Sequence, residues 1–232
     1  YARGECCLSK FLTNATTTDI ALAKNIGLSL QYEYSNMETI REGSNSASPN
    51  TVLDRTTSEW PTMPLETKSF SVPTRMIMQK YTFLGVYRSM DRFHVLVNIP
   101  YVINDMYMRK VTRNTMGMDM KMDTVEGLGD MTLMSLYTLY TDKPAHPKKK
   151  LTLGLGVKPP TGENEEVTES GFLVHAMMQP GTGSWDPLFL INYMRAFYPL
   201  VLQTHLFYHM STEGDEGYEI GDIHASLRFE IG

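Results

Sequence analysis

Four methionines, Met116, Met118, Met120 and Met122, alternate with Gly117, Asp119 and Lys121, and Met106 and Met108 stand just ahead of them. An extended chain turns alternate side chains to one face, so this spacing lines up four thioether sulfurs. Thioether is a soft donor suited to Cu(I), and silver shares that softness. Methionine also fills irregular apolar surface because it is unbranched and adaptable. The chain holds 17 methionines, and four evenly spaced ones in a predicted loop are poorly explained by packing alone.

Histidine is the second reagent. Of the six histidines, His94, His205, His209 and His224 fall on the polar side of alternating segments. Imidazoles there could hold a metal or change charge between about pH 5 and 8. The bland alternative is that they line a wet surface. His205 and His209 share a face but stand roughly 13 Å apart along a strand, too far to share one ion. Cys6 and Cys7 are adjacent, and a disulfide between neighbours is strained. They are candidates for an intermolecular disulfide, with inert or locally bonded thiols as the alternative.

No nucleophile–base–acid pattern, GxSxG, HExxH, P-loop or GxGxxG spacing is present; Gly154-Leu155-Gly156 is a lone GxG inside a strand. Thr161-Gly162 after two prolines is a turn. The sequence therefore predicts no enzyme and no cofactor. A net charge of −5, with Lys148-Lys149-Lys150 as the longest basic run, argues against nucleic acid.

The elements that would position these groups are strands. Ile223, Ala225, Leu227, Phe229 and Ile231 alternate with His224, Ser226, Arg228 and Glu230. Leu28, Leu30, Tyr32 and Tyr34 do the same against Ser29, Gln31, Glu33 and Ser35. No run of 18 apolar residues exists, which excludes a spanning helix, but alternating strands of about 9–11 residues are what a membrane-crossing β-strand needs. Further strands are predicted near 74–88, 92–101, 130–140, 150–157, 171–179, 185–196, 200–210 and 218–231. Long loops are predicted at 36–68, 104–127 and 159–170. Tyrosines gather near strand ends, as in interfacial girdles.

The expected fold is all-β: a closed antiparallel transmembrane β-barrel of about ten strands, within 8–12. Residues 26–232 would form the barrel, and 1–25 a poorly patterned N-terminal segment. A two-sheet sandwich is the fold-level alternative. Leu153, Leu155, Leu227, Phe229 and Ile231 should then face lipid. Gln31, Glu33, His94, Asn98, Lys158, Gln203, His205, His209, His224, Arg228 and Glu230 should line the lumen. A chain starting at Tyr1 is compatible with a removed export leader.

Several short motifs carry a resemblance. Gly127-Leu128-Gly129-Asp130 leads a strand, Leu153 to Gly162 runs LGLGVKPPTG, and Gly181-Thr182-Gly183-Ser184-Trp185-Asp186 and Gly217-Tyr218-Glu219-Ile220-Gly221-Asp222 follow. With Pro73-Thr74-Arg75-Met76 and Asn98-Ile99-Pro100-Tyr101-Val102 upstream, they resemble, from about Leu28 to Gly232, a methionine-rich branch of the outer-membrane family named for the meta-pathway of phenol degradation. The resemblance implies a bacterial outer-membrane β-barrel, porin-like, with a channel or transport role. The expectation is a passive channel or transporter for small hydrophobic compounds or metal ions, in contact with membrane lipid. The alternative is a structural or assembly barrel subunit docking to a partner protein chain through its Cys-containing N-terminus.

Overall fold

The computed structural model describes residues 25–38, 40–42, 45–58, 69–90, 92–112, 115–143, 148–167, 171, 173–174, 178–197, 200–210, 212 and 222–231. The strands are β1 (Ile26–Met37), β2 (Ile40–Glu42), β3 (Asn45–Ala47), β4 (Ser69–Met90), β5 (Phe93–Thr112) and β6 (Thr115–Lys121). They continue as β7 (Val125–Leu128), β8 (Thr132–Thr141), β9 (Lys149–Lys158), β10 (Asp186–Phe197), β11 (Leu200–His209) and β12 (Asp222–Ile231). Among the described residues a helix, α1 (Pro49–Ser58), lies between β3 and β4.

Ten strands make one sheet in the order β1-β4-β5-β8-β9-β10-β11-β12, with β6 and β7 also on β5; β2 and β3 form a separate hairpin. Every pairing is antiparallel. The sheet curls but does not close. It sweeps an arc of 238°, and its edges stand 19 Å apart. With strands about 4.8 Å apart, that opening is far wider than one ladder of hydrogen bonds can bridge. The expected closed transmembrane barrel is thus corrected to an open half-barrel, and the outer-membrane porin and channel readings, which required closure, fall with it. Each strand's twist is local, but closure is the sum of all of them, and here the sum stops short. Among the described residues no helix is long and apolar enough to cross a membrane.

The predicted loop at 104–127 is also corrected. β5 runs on to Thr112, and β6 and β7 fold back onto it. A reason is visible at Arg109, whose Nε and Nη2 donate to Asp119 Oδ1 and Oδ2 at 2.6 and 2.7 Å, a two-pronged bond between register partners. Pro100 marks where β5 changes partner, from β8 at Asn98 to β7 at Tyr101. A proline has no N–H to give to a ladder; its carbonyl instead accepts from the Gly129 amide at 2.9 Å. The strand predicted over 171–179 is, among its described residues, only a bridge from Val167 to Leu173.

One sheet face is buried. Leu84 and Val86 of β4, Leu96 of β5, Met134 and Leu136 of β8, Leu188 and Leu190 of β10 and Phe207 of β11 form a single cluster. Residues from strands so far apart in the sheet meet only across the inside of a curl, so the concave face holds the core. β9 contributes glycines there: a Cβ on Gly154 would lie 2.8 Å from Leu136 and 2.9 Å from Leu190. The β9 GxG is therefore a packing device that lets larger neighbours fill the trough.

The convex face is exposed and apolar. Leu30, Phe83 and Ile99 lie side by side in register, and Leu30 is 73 % exposed. Val97, Leu133 and Val157 continue the face, then Leu155, Phe189 and Tyr208. Leu153 and Leu155 both point outward and are exposed.

Candidate functional site

Three glycine-bearing turns meet at one end of the trough. The Glu163 amide donates to the Leu128 carbonyl at 2.9 Å, and the Gly181 amide to the Glu163 carbonyl at 2.8 Å. The contact between Gly162 and Gly181 is so close that a Cβ on Gly181 would lie 2.6 Å from the Gly162 carbonyl carbon. Glycine is required because backbone meets backbone.

This stack delivers a charged node. Asp130, just before β8, accepts the Gly162 amide on Oδ1 at 2.9 Å. Its Oδ2 accepts the Thr182 amide at 2.9 Å and the Thr182 hydroxyl at 2.7 Å. Lys158 closes β9 opposite Asp186, which opens β10. Its Nζ lies 2.7 Å from Asp186 Oδ2, 3.0 Å from Thr182 Oγ1 and 3.4 Å from Asp130 Oδ2. His209, closing β11, places Nε2 2.9 Å from Asp186 Oδ2, and the Thr212 amide donates to Asp186 Oδ1 at 3.0 Å. Since an ionised carboxylate only accepts, Nε2 carries the proton in this contact. The Ser184 and Thr182 hydroxyl oxygens are 2.9 Å apart.

Asp186 is 1 % exposed. Burial opposes its charge, yet the hydrogen bonds from His209 and Lys158, the Lys158 charge and the Thr212 amide together hold its carboxyl well below the usual carboxylate range. The three donors of the Lys158 ammonium face three acceptors, so it offers no free amine for attack. This geometry serves as a lock that ties β8, β9, β10 and β11 to the stacked turns.

A second cluster lies elsewhere on the concave face. His94 is the register partner of Arg88. Burial first, then the charges of Lys150 and Arg88, push its pKa down to about 4. Burial, followed by the Arg88 charge, also lowers Lys150. His94 is therefore neutral between pH 5 and 8, contrary to the expected charge change there.

The open sheet leaves no enclosed lumen for the predicted lining residues. Lys158 and His209 come together in the node. Asn98, Gln203 and His205 are buried on the concave face, His205 opposite Asn192. Among the described residues, Asn98 Oδ1 and Gln203 Oε1 have no hydrogen-bond partner. Gln31 and Glu33 are half-buried opposite Thr82 and Lys80. His224, Arg228 and Glu230 pair in backbone register with Phe207, Gln203 and Val201; their side chains, with those of Leu227, Phe229 and Ile231, lie outside the described residues, as do Cys6 and Cys7. Met118 and Met120 are exposed on β6, Met122 is half-buried, and the Met116 side chain is not among those described. Among the described residues no group of three or more His, Cys, Asp or Glu could hold a metal ion.

Sequence reasoning passed over Asp130, Thr182, Ser184, Asp186 and Thr212 as chemistry. For Asp130, Thr182, Ser184 and Asp186 the signal lies in the Gly-Asp and Gly-Thr-Gly-Ser-Trp-Asp motifs, whereas Thr212 belongs to none of the motifs. No protein-family model matches the chain, and no curated protein matches it. The resemblance to the phenol-pathway outer-membrane family is accordingly withdrawn, since the barrel it implies is replaced by an open, curled half-barrel sheet.

Proposed function

We propose that this chain is a non-enzymatic structural sheet that works against lipid, with acyl chains covering its convex face. The observation that carries the reading is the continuous apolar coat. Residues 26–34 of β1, 81–87 of β4, 95–101 of β5, 133–137 of β8, 151–157 of β9, 189–193 of β10 and 204–208 of β11 each send alternate side chains to this face. None of those outward residues is Asp, Glu, Lys or Arg. Scattered apolar residues on a surface need no explanation, but a large contiguous patch marks an interaction. A protein partner covers a patch on one side. A coat following these seven strands around the arc suits a fluid apolar phase.

The absence of an enzymatic role is supported by the node, where the Lys158 ammonium and the carboxylates are engaged with one another. The proposal concerns what touches the convex face and does not restore a closed channel.

Flotation with phosphatidylcholine vesicles tests it. The full chain should rise with the vesicles and need detergent micelles to stay monomeric, and Leu30→Glu with Leu155→Glu should cut flotation at least several-fold. A chain that stays monodisperse without detergent and ignores the vesicles would overturn the reading.

A further inference from the structure

We propose that Met76, Met106, Met108, Met122 and Met178 form a thioether site for a soft monovalent cation of the Cu(I) and Ag(I) class. Met118 and Met120 are exposed on β6, whereas another set of methionines packs together elsewhere. Met106 and Met178 are buried with Val125 and Val174, and Met76, Met108 and Met122 pack against them. Four separate stretches of chain supply these residues. Met76 of β4 is the register partner of Met106 of β5, and Met106 and Met108 share a face of β5 two residues apart. The Met122 amide donates to the Met106 carbonyl at 2.8 Å, which holds the segment after β6 against the cluster.

Asn104 is the second observation. It is 3 % exposed and precedes Met106 on the same face of β5, opposite Val125 of the cluster. Its Nδ2 donates to the Met178 carbonyl at 2.9 Å, while its Oδ1 has no hydrogen-bond partner among the described residues. Asn104 thus brings to the edge of the methionine cluster a buried amide oxygen that is unpaired among the described residues, at a kind of position where such groups are ordinarily satisfied. Neutral soft donors favour Cu(I) over hard divalent ions. Methionine's three rotatable bonds let the sulfurs converge on one ion, and the half-exposed Met76, Met108 and Met122 leave a way in.

The test uses Ag+ as a redox-inert probe and the full chain carrying Cys6→Ser and Cys7→Ser, because two thiols would outcompete thioethers. Calorimetric titration should show one equivalent of Ag+ bound. Met106→Leu with Met178→Leu, volume-conserving changes that cores tolerate, should weaken binding at least tenfold. Met118→Leu, at a position 65 % exposed, should leave it unchanged. Silver-edge X-ray absorption of the bound protein should find three or more sulfur neighbours, which tests the site even if the double variant misfolds. No Ag+ binding, binding retained by the folded double variant, binding lost in Met118→Leu, or a shell of oxygen and nitrogen only would each overturn the proposal.

Discussion

Lys158 and Asp186 are register partners at the ends of β9 and β10, and their Nζ and Oδ2 atoms lie 2.7 Å apart in a buried setting. They join strands whose other concave pairs at this end are apolar or glycine, such as Leu188 with Gly156. The pair also connects, through Thr182 and Asp130, to turns that are remote in sequence.

Removing one partner of this pair should be costly. Asp186→Asn leaves the Lys158 ammonium buried without its nearest counter-charge and should lower unfolding free energy by about 3–5 kcal/mol. Lys158→Met combined with Asp186→Leu should cost less than the sum of the two single changes, because no unpaired charge remains between those positions. Urea denaturation measures the wild type, the three single variants and the double variant; an Asp186→Asn loss below about 1 kcal/mol would show that the node is not a lock.

The glycine stack should tolerate no side chain. Gly181→Ala puts a methyl group against the Gly162 backbone, and neither chain can give way without breaking the amide bonds that join the turns. The expected outcome is a clear loss of stability, with faster hydrogen exchange at the Gly162 and Thr182 amides that Asp130 accepts. Unchanged protection there would contradict the arrangement.

Acid should destabilise the fold in two steps. His94 has its pKa lowered to about 4 from 6.5 in the fold, so its neutral form is favoured by folding. That contribution is complete above pH 6.5, is lost as pH falls from 6.5 towards 4, and is absent below that. Asp186 is shifted below its usual 3.8, so its contribution is complete above that value and is lost as pH drops through the acid range beneath it. His94→Gln should flatten the stability profile between pH 6.5 and 4 and leave the lower step in place. A variant with the same slope in the upper window would assign that step to other groups.

The concave core should behave as a packed interior. Leu190 is 2 % exposed and lies against Gly154 in β9. Leu190→Ala should cost about 2–5 kcal/mol, as for other buried leucines. Ile191→Ala, on the exposed convex face one residue along, should cost far less in a detergent micelle. Equal losses measured by thermal unfolding would mean that the two faces are not distinguished as described.

The period-two pattern determined where the chain is extended and which side chains share a face, because alternation is a property of each strand alone. Leu28, Leu30, Tyr32 and Tyr34, or Leu151, Leu153 and Leu155, could be assigned together from spacing. What spacing could not show is how far the sheet curls. The 238° arc accumulates from twist, register and bulges such as those at Pro73/Arg75 and Arg88/Met90, none of which has a fixed signature in residue type. The extension of β5 past Asn104 was hidden because its methionines, Arg109 and Lys110 resemble a loop until Asp119 is placed across from them.

The site divides in the same way. Residue types marked Lys158 and His209 as chemical groups worth watching, and the turn glycines were conspicuous as motifs. Only tertiary structure joined Asp130, Lys158, Asp186 and His209, because side chains that are 23 to 28 residues apart in sequence between successive members meet through antiparallel return of the chain. It also decided the methionines: alternation grouped Met116 to Met122 on one strand face, whereas the sulfurs that cluster come from strands and turns brought together by the hydrophobic drive to bury Met106 and Met178.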